Sequence, residues 1–130
     1  MGMETVVERV AAGEGRFTLE AVVCVMERGI TVTAFSLGFA HVGATAQAIP
    51  RPEAGRTATV SILAVPCHRD EIPAHDIAAA LATSFGVPCV ASTGYHVEGA
   101  SEADLQRVLD ANAELIEKLE ECVGKYLPRV

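Results

Sequence analysis

Tryptophan is absent from this chain and aromatic residues make up only 5% of it. No large aromatic anchor organises the interior, so the core must be assembled from small aliphatic side chains. Cations are scarce: ten Lys and Arg stand against seventeen Asp and Glu, a formal charge of −7 with histidine neutral. That balance excludes the basic stripe that neutralises nucleic-acid phosphates or an anionic membrane surface. No Cys-x-x-Cys pair joins Cys24, Cys67, Cys89 and Cys122, which excludes a zinc knuckle or a thioredoxin-type site and leaves reduced thiols packed as small hydrophobes. There is no long apolar run, and no basic flank with an apolar stretch near the N-terminus. Neither a membrane span nor a signal peptide is therefore expected, and the expected location is cytoplasmic. Also missing are the Gly-x-Ser-x-Gly elbow, the Walker loop, the Rossmann glycine pattern and His-Glu-x-x-His. Cys67 and His68 are adjacent in sequence, which does not set a thiol opposite its base.

What is present is a chain of 130 residues, half of them hydrophobic, enough to bury roughly two thirds of its unfolded surface without a covalent staple. Residues 1–15 are expected to contribute a short edge strand, Thr5–Val10, before the turn Ala-Ala-Gly-Glu-Gly. Residues 16–130 are expected to form a single α+β domain. Phe17, Leu19, Ala21, Val23 and Val25 alternate as in a strand, and Glu27-Arg28-Gly29 turns the chain into a second strand, Ile30–Leu37. Pro73 suits the first turn of a helix that runs to Phe85 and stops at Gly86. Val87–Ser92 reads as a strand. Ser101 with Asp104 three residues on has the form of a capping box opening a long last helix, whose apolar stripe includes Leu105, Leu109, Asn112, Leu115 and Leu119. The resulting expectation is a mainly antiparallel sheet of five or six strands, a meander followed by helix, strand and helix, with both helices on one face.

The stretch from Ala40 to Arg51 is the expected centre of that sheet. With strand periodicity, Val42, Ala44, Ala46 and Ala48 share one face, while His41, Gly43, Thr45 and Gln47 share the other. The loop Pro50–Arg56 follows, and Thr57–Val65 resumes alternation, with Ala58, Val60, Ile62 and Ala64 apolar and Thr57, Thr59 and Ser61 polar. Two helices cannot cover both faces of such a sheet, so its free face, with Phe35, Leu37, Leu63 and Val65, is expected to make a homodimer.

His41, His68 and His96 fall at strand ends, where functional side chains gather. Three readings are open: a three-histidine metal site completed by Asp70, Glu71 or Glu98 in a small metal-binding enzyme; local hydrogen bonding of each ring; or an anion or cofactor pocket made with Arg51, Arg56 or Arg69.

The series Ala40-His41-Val42-Gly43-Ala44, Ile49-Pro50-Arg51-Pro52, Gly55-Arg56-Thr57, Pro66-Cys67-His68-Arg69-Asp70-Glu71 and Gly94-Tyr95-His96-Val97 resembles the LpdD-like family. These are small D-type accessory proteins of nonoxidative hydroxyarene decarboxylases, with a domain similar to proteasome assembly chaperones. The resemblance covers Arg16 to the end of the last helix. It implies a non-catalytic helper, dimeric, acting as a chaperone or cofactor-delivery factor for a UbiD-type decarboxylase that uses prenylated FMN. His41, Gly43, Arg51, Arg56, His68, Arg69 and His96 match its motifs and are the candidate cofactor-binding set. One position departs from the pattern: Cys67 stands where a glycine commonly precedes the second histidine. A purely structural subunit of a larger complex is the remaining alternative.

Overall fold

The computed structural model describes residues 2–53, 57–66 and 70–130. Among the described residues six strands and two α-helices follow in chain order, with a 3-10 turn at Gly15–Phe17: β1 (Val6–Ala12), β2 (Leu19–Met26), β3 (Gly29–Ser36), β4 (Ala44–Ile49), β5 (Thr59–Ala64), α1 (Glu71–Phe85), β6 (Cys89–Gly94) and α2 (Glu102–Val123). The expected α+β class is the observed one: a six-stranded, mostly antiparallel sheet with two helices.

Strand order is β1-β2-β3-β6-β4-β5. The stretch expected at the centre of the sheet is displaced from it, since β4 begins only at Ala44 and has β5 alone outside it. The centre belongs to β3 and β6, which pair in parallel from Ile30 with Cys89 to Phe35 with Gly94. The meander is interrupted because β6 returns through α1 and inserts between β3 and β4, antiparallel to β4. Residues 40–43 are released from strand pairing for the same reason: they must cross the end of β6 to reach β4.

Alternation fixes which side each strand buries. Leu19, Ala21, Val23 and Val25 of β2, Ile30, Val32 and Ala34 of β3, and Ala44, Ala46 and Ala48 of β4 are all buried. Thr31 and Thr33 are exposed on the opposite side, Phe35 is half-buried and Leu37 is exposed. The alanines of β4 face α1, whose own buried residues include Ala74, Ala78 and Ala82. Small side chains on both partners let helix and sheet approach closely, while Ile77, Leu81 and Phe85 fill the remaining volume. Burying each of those larger side chains is worth about 1.5–3 kcal/mol. α2 lies over β1 and β2 and against α1. Coverage is thin over the outermost strand β5, where the expected apolar face is only partly realised and Ile62 and Leu63 are exposed.

Both helix boundaries follow local chemistry. Gly86 closes α1 in the left-handed conformation (φ 65°), its N–H donating to the Ala82 carbonyl. At the start of α2 the Ser101 hydroxyl accepts from the Asp104 N–H and the Asp104 carboxylate accepts from the Ser101 N–H, a complete capping box. No helix among the described residues is long and apolar enough to cross a membrane.

Candidate functional site

One end of the sheet collects the ends of β3 and β6, the start of β4 and the N-termini of both helices. After β3, Gly38 turns the chain at φ 89°, and residues 39–43 pass over the end of β6 as a strap. The Gly43 N–H donates to the Thr93 carbonyl (2.8 Å) and the Val65 N–H to the Gly43 carbonyl (2.7 Å). Two glycines make this crossing possible. A Cβ on Gly94 would overlap the His41 carbonyl, and one on Gly43 would overlap the Asp70 carboxylate.

His41 is held by the strap that carries it. Its Nδ1 lies 2.7 Å from the Phe39 carbonyl; a carbonyl only accepts, so Nδ1 bears the proton in this bond. Nε2 then points towards Asp70, 4.0 Å from Oδ2. Asp70 precedes α1 but its side chain does not cap that helix. Only 4% exposed, it accepts from the Tyr95 N–H through Oδ1 (3.0 Å), while its carbonyl accepts from the Thr93 hydroxyl (2.8 Å). The Tyr95 hydroxyl donates to Asn112 Oδ1 of α2 (2.5 Å). Burial first, and the Asp70 charge second, push the Tyr95 phenol well above its ordinary value. It stays protonated and acts as a donor.

His96 leaves the same strand end on the outer side. Its N–H donates to the Ser36 hydroxyl (2.9 Å), its ring packs tilted against Phe39 at 5.2 Å between centroids, and Nε2 lies 3.0 Å from Glu98 Oε2. Beside this cluster, between the N-terminal turns of α1 and α2, an open groove of about 300 Å³ has Asp70 and Tyr95 in its floor and Ile72, Val97, Leu105 and Leu109 in its walls. Leu105 and Leu109, expected beneath the helix, are 50% and 38% exposed. They stand on the flank of α2 that faces the groove, one step around the helix from the buried line Val108, Leu115 and Leu119.

The candidate residues are thus partly assembled and partly separated. His41, Gly43 and His96 meet at this end, because β4 runs antiparallel to β6 and starts where β6 finishes. Arg51 follows the far end of β4 and is paired loosely with Glu53, Nε to Oε2 3.9 Å. It cannot share a surface with the histidines, from which the six-residue strand β4 separates it, about 20 Å at strand rise. Arg56, His68 and Arg69 lie outside the described residues, as does Cys67. Among the described residues no three of His, Cys, Asp and Glu are placed to hold a metal ion. In the sequence Asp70 stands as a possible metal ligand and within the Pro66–Glu71 motif, Gly94 opens the Gly94–Val97 motif and Asn112 sits in the stripe of the last helix, but their structural roles here come from the fold. The available signal for Asn112 was an amide within an otherwise apolar helical stripe, which requires a buried partner.

The fold and the groove define a small α+β protein with an apolar slot at one sheet end. A family model for the prenylated flavin chaperone LpdD-like domain matches residues 13–124, and the chain belongs to that family. Comparison with curated proteins finds no match. Among solved structures the chain is similar to the crystal structure of a chaperone complex for yeast 20S proteasome assembly, with a TM-score of 0.63 and 12% identity over 94% of this chain and 95% of that one. At that identity the likeness concerns the fold.

The prenylated flavin that the family description implies can be tested against this lining. Apolar walls suit its prenylated ring system. The described lining offers no arginine or lysine for a phosphate, and Arg51 is at the wrong end of the sheet.

Proposed function

We propose that this protein is a non-catalytic accessory factor of a UbiD-type decarboxylase, and that it holds the ring portion of prenylated FMN in the groove between α1 and α2 before the cofactor reaches the enzyme. The observation that carries this reading is the groove itself: about 300 Å³, at the lower limit of small-molecule sites, with one of the candidate positions, His96, in its lining beside Asp70, which His41 faces. A slot of that size takes a ring edge and leaves the rest of a nucleotide outside, which suits a carrier that must release its load. Ile72, Val97, Leu105 and Leu109 would contact the rings. His96 at the mouth would offer a hydrogen bond, and the Asp70–Tyr95–Asn112 chain would keep the floor rigid.

The test is co-expression of a prenylated-FMN decarboxylase with its flavin prenyltransferase, with and without this chain, reading cofactor occupancy from the visible absorbance of the purified enzyme. Occupancy is expected to rise several-fold with the chain, to fall back with Leu109→Asp, and to be unaffected by Arg51→Ala. Titration of the purified chain with prenylated FMN should shift the cofactor's absorbance. Unchanged occupancy would overturn the accessory role. Raised occupancy without any shift in the titration would overturn the groove as the cofactor site.

A further inference from the structure

The loop between β6 and α2 forms one wall of the groove, through Tyr95, His96, Val97 and Ala100. Both of its ends are fixed. At the start, the Tyr95 N–H donates to Asp70 and the His96 N–H to Ser36; at the finish, the capping box anchors Ser101 to α2. Between these ends the backbone of residues 97–100 turns at Gly99, with φ 60°. Among the described residues it takes part in one hydrogen bond: the Glu98 carbonyl accepts from Arg16 Nη1 at 3.0 Å.

Arg16 reaches this loop from the 3-10 turn between β1 and β2, 82 residues away in the chain. Its other terminal nitrogen, Nη2, donates to Asp104 Oδ2 at 2.6 Å, the same oxygen that accepts from the Ser101 N–H in the capping box. The guanidinium carbon lies 5.0 Å from the centroid of the Phe17 ring, which Arg107 also approaches, at 5.4 Å. One planar fork therefore joins the middle of the loop to the N-terminus of α2 while resting on an aromatic face, a geometry that the point charge of a lysine does not reproduce. For global stability the bridge counts little, because the arginine side chain is 52% exposed and water screens ion pairs so placed. Its consequence is local.

We infer that Arg16 is a positioning residue of the groove, holding the 97–100 wall to α2 so that the slot bounded by Val97, Ala100, Leu105 and Leu109 keeps a fixed width. The inference rests on the groove being the cofactor site. Arg16 is not part of the lining, so it acts on the bound ring through the loop. The requirement comes from dispersion: an apolar wall contributes only where it touches its ligand, and a gap of about 0.5–1 Å already forfeits roughly a quarter to a half of each contact. Without the fork, the Glu98 carbonyl turns to water and the loop is tethered at its ends alone. Gly99, with no Cβ, then gives the backbone freedom for Val97 and Ala100 to draw back. The mouth loosens with the wall, since His96 Nε2 is paired with the Glu98 carboxylate on the same turn.

Prenylated FMN titrated into the purified chain and followed by its visible absorbance should bind Arg16→Ala about ten-fold more weakly than the parent, with Arg16→Lys in between, while all three proteins melt within a few degrees of one another. Two further readouts separate positioning from a general loss of structure. Amide exchange at residues 97–100 of the unliganded chain should be about ten-fold faster in Arg16→Ala, with exchange at the buried Ala91 and Leu115 unchanged. At saturation the spectrum of the bound cofactor should move towards that of the free one, because the loosened wall admits water. If Arg16→Ala fails to fold, Arg16→Gln takes its place with the same expectations. Equal affinity in parent and variant overturns the inference and leaves the groove as the cofactor site. So does weaker binding with unchanged exchange at 97–100 or an unmoved bound spectrum, since either outcome puts the effect elsewhere than in the wall. No absorbance change with the parent overturns the cofactor site itself, and this role of Arg16 with it.

Discussion

Tyr95 shows how much a single residue of this site does structurally. Its ring separates the groove from the core, its N–H engages Asp70 and its hydroxyl satisfies the buried amide of Asn112. Tyr95→Phe keeps the ring and removes the donor, leaving Asn112 Oδ1 buried and unpaired, a cost of about 1–3 kcal/mol. A lower urea midpoint with an unchanged slope is the expected result. Recovery of much of the loss on adding Asn112→Leu would identify the unpaired amide as the cause, because replacing both polar partners by apolar groups removes the unmet hydrogen bond. Cys89 is inert in the same way: burial in the sheet pushes its thiol up to about 12, so it exposes no thiolate at neutral pH.

At the scale of the element, α2 carries two functions on adjacent flanks. Leu115 is fully buried and Leu109 is 38% exposed on the groove side. Leu115→Asp puts an unpaired charge into the core and should unfold the protein, at a cost of several kcal/mol, about that of a large cavity or more. Leu109→Asp should melt within a few degrees of the parent, measured by circular dichroism. The start of the helix also makes stability depend on pH. The backbone N–H of Ser101 first, with its hydroxyl and Arg16 adding to it, holds the Asp104 carboxylate below its ordinary 3.8. The Gly13 N–H, with Lys118, does the same for Glu114 relative to 4.5. Each folded value lies below its unfolded one, so the unfolded chain binds more protons in the interval between them. The stabilisation is fully present above the ordinary values and is lost as pH falls through the depressed ones. Urea midpoints should therefore drop between pH 5 and pH 2–3, and Asp104→Asn should start lower at pH 6 and lose less on acidification.

Across the whole molecule, α2 ties the N-terminal strand to the groove end. Lys118 Nζ donates to the Ala11 carbonyl, Lys125 Nζ and the Tyr126 hydroxyl donate to Glu8, and the Gly13 N–H donates to Glu114. β1 lies outside the residues that match the family model, yet it is attached by a full antiparallel ladder to β2 as well as by these contacts. Heating should therefore give one transition, with the near-ultraviolet dichroism of Tyr95, beside the middle of α2, and of Tyr126, just past its end, coinciding with the far-ultraviolet signal. An earlier transition confined to the Tyr126 end would show that β1 and the C-terminal turn of α2 unfold as a separate unit.

What the amino-acid sequence determined by itself is whatever depends on near neighbours in the chain. The β2–β3 hairpin, the Gly86 stop, the Ser101–Asp104 box and the buried side of β2, β3 and β4 all follow from period, turn chemistry and capping, which act within a few residues. The α+β class follows from the order of those elements. Strand order does not: nothing local places β6 between β3 and β4, since that pairing joins residues about sixty apart, Ile30 with Cys89. Because β6 takes that place, β4 moves away from the centre, residues 39–43 become a strap rather than a strand, and His41 is brought to the strand end that carries His96. The periodicity of α2 likewise identified an apolar stripe without dividing it. Leu115 and Leu109 look alike in the heptad-like pattern, and only the position of α1 against α2 decides that one is core and the other a groove wall.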